Sequence, residues 1–87
     1  MRPSSNPELI NALAIEVKVR RTELGLSQEA LAFEANLDRP YVSLIEVGRK
    51  QPSLSVLSSL ARGLDLGLGE FMLRIEARYL SAPKRKG

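Results

Sequence analysis

Cysteine, histidine and tryptophan are all missing from this chain. Without Cys there is neither a disulfide nor a thiolate metal site to staple the fold. Without His the commonest general base and the commonest zinc ligand are gone. No phosphate-cradling glycine loop is present, and acids such as Glu16, Glu23 and Glu70 read as exposed helix residues. No catalytic constellation emerges, so no enzymatic activity, cofactor or metal is expected. Aromatics are scarce at 5%, against a hydrophobic fraction of 44%. A core must therefore come mainly from Leu, Ile, Val and Ala, a composition that favours helix. No apolar run approaches the ~20 residues of a membrane span. The opening MRPSSNPELI also lacks the apolar core of a signal peptide. A soluble, cytoplasmic protein with no membrane contact is the expectation.

What is present points to one small helical domain. The chain has 87 residues, enough for a single core. Its net charge of +3 and pI of about 9.7 lean mildly towards anionic partners. Lys84, Arg85 and Lys86 alone account for that excess, so net charge does not by itself distinguish a nucleic-acid surface from a solvated tail. Three segments are expected: a flexible N-terminus over 1–6, a helical domain over 7–80 and a basic tail over 81–87. Asn6-Pro7 is a cap followed by a ring preset for the first turn. A first helix runs from there to Glu23, with Ile10, Leu13, Ala14, Val17 and Leu24 inward and Gly25 as its stop.

Residues 28–48, QEALAFEANLDRPYVSLIEVG, are the most informative stretch. Ser27 caps a second helix that ends near Ala35, with Leu31, Ala32 and Ala35 inward. Asn36 sits at the sharp turn, where Asn tolerates a left-handed conformation. Asp38 caps a third helix that runs to about Val47, with Pro40 in its first turn and Leu37, Val42 and Ile45 inward. A second helix held across a tight turn in this way can enter the major groove of DNA. Ser53 caps a fourth helix with Leu54, Leu57, Leu60, Ala61 and Leu64 inward. The fifth begins near Gly67 to Gly69 and reaches about Leu80.

Residues 12–72 resemble the lambda repressor/Cro-like, or XRE-type, regulators. The matching pieces are Arg20-Arg21, GLSQEALA at 25–32, YVSLIE at 41–46, Gly48 and Pro52-Ser53-Leu54. The stretch YVSLIEVGRKQPSL is especially similar to small regulators of that family, including the controller proteins of restriction–modification systems. The resemblance implies an all-α, compact five-helix domain with the helix-turn-helix at the second and third helices. It implies a DNA-binding transcription regulator that binds an inverted-repeat operator as a homodimer.

By that resemblance, Asp38, Arg39, Pro40, Ser43 and Leu44 map to the base-reading face. Arg39 is the first choice for a bidentate guanine contact. Gln28, Tyr41, Arg49 and Lys50 map to backbone contacts, with Gln28 either on phosphate or bracing the reading helix. Arg21 and Glu46 occupy positions that pair in the family. Outside the motif, Arg39, Arg49 and Lys50 would read as solvated cations and Gln28 as a plain helix-start residue. The fifth helix carries more large apolar residues than one face of a small bundle uses. Phe71, Met72, Ile75 and Tyr79 are therefore assigned to a dimer interface. Contact with RNA polymerase fits a regulator of this kind. An antitoxin that binds a toxin and represses its own operon is the alternative.

Overall fold

Four residues in left-handed conformation cut the chain into its helices: Gly25 (φ 73°), Asn36 (φ 57°), Gly48 (φ 76°) and Asp65 (φ 59°). The computed structural model describes residues 5–83. Its elements are α1 (Pro7–Glu23), α2 (Gln28–Ala35), α3 (Arg39–Glu46), α4 (Leu54–Gly63) and α5 (Leu68–Ser81). No strand forms among the described residues. Each of the first four helices ends in the same pair of reversed bonds. After α2, for example, Leu37 N–H reaches back to Ala32 O at 2.8 Å and Asn36 N–H to Phe33 O at 3.2 Å. This Schellman arrangement satisfies carbonyls that a helix end would otherwise leave unpaired.

The starts are equally local. The side chains of Asn6, Ser27 and Ser53 accept the N–H of Leu9, Ala30 and Val56 at 3.0–3.2 Å. Asp38 holds the N-cap position of α3 but makes no side-chain cap bond, contrary to expectation. Pro40 removes one first-turn donor, and the Tyr41 N–H is already bonded to the Asp38 carbonyl at 3.0 Å. Gly67, which has no side chain to offer, occupies the N-cap of α5.

Leu13, Val17, Leu31, Val42, Ile45, Leu60, Leu64, Phe71 and Ile75 form the centre of the core. Each such side chain contributes roughly 1.5–3 kcal/mol by leaving water. α1 packs against α3 and α5, and α2 against α3 and α4. The α2–α4 contact is made close by Gly63. A Cβ there would meet Leu31 Cδ1 at 3.0 Å and both Cβ and N of Ala35 at 3.2 Å. Because α4 docks through that C-terminal end, its first turn overhangs, and Leu54 is exposed where the periodicity places it inward. Leu24 is likewise more than a third exposed, since it lies past the end of α1.

Two expectations are overturned by packing. Phe71 and Ile75, assigned above to a dimer contact, are 0% and 2% exposed and lie inside the protomer's own core. The fifth helix closes the bundle over α1 and needs its bulkiest residues for that purpose. Glu16, expected on the surface, is buried against α5, where Arg78 Nε donates to its Oε1 at 2.7 Å. Glu23 and Glu70 are exposed, each beside an arginine of its own helix. Of the other two residues assigned to the contact, Met72 is exposed, and Tyr79 is half-buried with its hydroxyl accepting from Asn6 Nδ2 at 3.0 Å.

Candidate nucleic-acid interface

α3 has two unlike sides. Val42 and Ile45 are fully buried, and Tyr41 packs partly onto the core. Asp38, Arg39, Pro40 and Leu44 are exposed and Ser43 half-exposed, so the five residues expected to read bases share the outward side. Arg39, Ser43 and Val47 follow one another at four-residue spacing, and Val47 is 64% exposed. Val47 was missed as part of this face because its apolar side chain reads as core. Its distance of four from Ser43 was the available signal.

Among the described residues the side chains of Arg39 and Arg49 make no ion pair or hydrogen bond, so both guanidiniums are open to an anionic or acceptor-rich partner. Lys50 Nζ lies 5.6 Å from the centroid of the Tyr41 ring. That distance suits a cation–π contact, which keeps the ammonium on the flank of α3. Pro40, Leu44 and Val47 add apolar surface but no donor. The face therefore offers one guanidinium, one carboxylate and one hydroxyl for base-edge hydrogen bonds, beside groups suited to a thymine methyl.

The pitch of α3 is set from behind by one carboxylate. Glu46 has a side chain 3% exposed. Its Oε2 accepts from Arg21 Nε at 2.6 Å and its Oε1 from Arg21 Nη2 at 3.0 Å, a two-pronged pair between α1 and α3. The remaining Arg21 nitrogen, Nη1, donates to Leu26 O at 2.8 Å. Gln28 Nε2 donates to Glu46 Oε1 at 3.0 Å, which ties in the start of α2. The amide of Gln28 thus makes a bracing contact on Glu46. The hydrogen bonding of Arg21 to the Glu46 carboxylate is the main cause that pushes the Arg21 pKa upward, against the opposing effect of burial. A planar fork matched to a carboxylate holds direction as well as distance.

Arg20, the other half of the Arg20-Arg21 pair, has a role that the sequence reading did not assign. Its Nε donates to Leu64 O at 2.9 Å and its Nη2 to Asp65 O at 3.4 Å, so it clamps the α4–α5 turn onto α1. No local pattern announces a side chain that serves carbonyls 44 and 45 residues away. The tail residues Lys84, Arg85 and Lys86 lie outside the described residues.

The helix-turn-helix family model matches residues 17–71 of this chain. The control protein C.MunI of Mycoplasma sp is 41% identical over 59 residues, spanning 68% of this chain and 80% of that protein. The restriction-modification controller protein C.Esp1396I, solved as a tetramer in complex with its natural 35 base-pair operator, is similar at a TM-score of 0.78. Its identity to this chain is 30%, covering 84% of this chain and 96% of that one. The controller protein C.AhdI from Aeromonas hydrophila has a TM-score of 0.68 and 39% identity, covering 71% of this chain and 94% of that one.

Proposed function

Because the chain belongs to the helix-turn-helix family, we propose that it is a controller-type transcriptional regulator that binds an inverted-repeat operator as a homodimer. The observation that carries this reading is the two-pronged Arg21–Glu46 pair, joined by Gln28, behind an α3 whose outward side is free. A helix fixed at its back and open at its front is what base reading in a major groove requires. The operator-bound tetramer of C.Esp1396I supports DNA as the partner.

Arg39 is the principal base-reading residue, with Asp38, Ser43 and the apolar Pro40, Leu44 and Val47 beside it. Arg49, Lys50 and Tyr41 meet phosphates on its flank. Gln28 steadies Glu46, and the free backbone N–H groups at the start of α2 favour a phosphate there.

The dimer face lies on the other side of α5 from the core. Leu73 and Leu80 are 67% and 69% exposed, and Leu9 and Met72 are more than a third exposed. Leu9 and Met72 also line both of two hollows, one of about 480 Å³ between the start of α1, the loop before α4 and α5, and one of about 390 Å³ between Leu9 and α5. Knob and hollow on one surface allow a two-fold, self-complementary contact. Selection of binding sites from random DNA tests the whole reading. A two-fold repeat with half-sites about one helical turn apart is expected. A single asymmetric site, or no enriched sequence, would reject the dimeric operator.

A further inference from the structure

The second half of α5 is tethered to the bundle by polar bonds more than by burial. Ile75 is the last buried residue of that helix. Beyond it, Tyr79 takes a hydrogen bond from Asn6 Nδ2 at 3.0 Å, and Arg78 Nε donates to Glu16 Oε1 at 2.7 Å. The Glu16 side chain is only 4% exposed, although the other buried residues of α1 are apolar. A carboxylate at such a place costs free energy unless cations and donors compensate it.

Compensation here is incomplete. Glu16 Oε2 is buried and has no hydrogen-bond partner among the described residues. Arg74 Nη1 stands 3.7 Å away, too far for a hydrogen bond. That guanidinium is shared, because its Nη2 lies 3.4 Å from Oε2 of Glu70, one turn earlier on α5 and exposed. Arg74 thus sits between two carboxylates, one buried and one in solvent.

We infer that Glu16 is a positioning residue for the dimer face, holding the second half of α5 through Arg78 and Arg74, and that Glu70 weakens this hold by drawing Arg74 away. The inference rests on the reading of α5 as the dimer face. Leu80 lies two residues beyond Arg78, and Leu73 directly before Arg74, so a shift of the two arginines carries both leucines with it. Without the charge of Glu16, Arg74 and Arg78 are like charges one turn apart, which repel. The last turns of α5 then lean away from α1, and the two-fold contact loses its register.

The test measures the dimer dissociation constant by sedimentation equilibrium for the full chain, E16Q, E70Q and Leu73→Glu, with helicity and thermal melting of each. E16Q should raise the constant by about tenfold, the equivalent of one lost charge-assisted hydrogen bond. E70Q should lower it by about twofold, the scale of one exposed helical ion pair. A role confined to folding would move the melting temperature but not the constant, and would give no opposite sign for E70Q. Leu73→Glu separates the two layers of the argument. If it stays as dimeric as the parent chain, α5 is not the dimer face. If it is monomeric while folded E16Q keeps the parent constant, the face stands and the role of Glu16 is overturned. Should E16Q lose its helicity, E70Q decides: a constant that is unchanged or raised overturns the inference.

Discussion

Arg39 and Lys50 are both exposed cations beside α3, yet they should fail in different ways when removed. Arg39 has a planar fork on the outward side of the helix. Arg39→Ala should relax specificity at one base of each half-site, with a loss of about 1–3 kcal/mol on the preferred operator. Lys50 is a point charge held over Tyr41. Lys50→Ala should weaken all sequences alike and reduce the salt slope of binding by about one. Titration of operator and random DNA at several salt concentrations distinguishes the two, and equal losses on both DNAs for both variants would sink the division of roles. Glu46 belongs to the same scale. Glu46→Ala leaves Arg21 without its anionic partner and Gln28 without its acceptor. Breaking such a largely buried pair from one side should cost about 3–5 kcal/mol, measurable by urea unfolding.

At the scale of elements, the turn between α2 and α3 depends on one backbone conformation. Asn36 sits at φ 57° and ψ 45°, which Asn and Gly adopt cheaply and a β-branched residue does not. Asn36→Val should destabilise by about 1–2 kcal/mol, whereas Asn36→Gly should be close to neutral. Gly63 sets two effects against each other. Alanine is the better helix former by about 1 kcal/mol. Its Cβ, however, would press on the Ala35 backbone and on Leu31, for which overpacking costs about 1–3 kcal/mol. Gly63→Ala should therefore lower stability by about 1 kcal/mol in chemical denaturation, and a stabilised variant would mean that α2 and α4 can move apart. These elements were legible because their signals are local: Asn6, Ser27, Ser53, Gly25, Asn36 and Gly48 all stand where a helix starts or stops. The close approach at Gly63 was not legible, because a glycine inside a helix reads only as an ending. Glu16 was misread for a related reason. Its buried position depends on two arginines more than 55 residues further along the chain.

For the whole molecule, two substitutions on one helix should have opposite consequences. Phe71 is fully buried, so Phe71→Glu should unfold the protomer rather than merely separate a dimer into monomers. Leu73→Glu lies on the exposed side and should keep helicity while lowering the mass in ultracentrifugation, with no more loss of melting temperature than the lost association entails. A folded Phe71→Glu variant would contradict its place in the core. A dimer of the kind proposed above would also make operator occupancy depend steeply on protein concentration. The amino-acid sequence by itself determined the five helices, most of their ends, most of the outward residues of α3 and the family. Helix signals act over a few residues, and the helix-turn-helix motif is nearly contiguous. Only the tertiary structure decided which apolar residues of α5 close the core and which stay free, that Arg20 clamps the α4–α5 turn, and that Glu16 is buried. A stripe wider than one contact can be divided only by what packs against it, and the main partner of α5 is α1, at the opposite end of the chain.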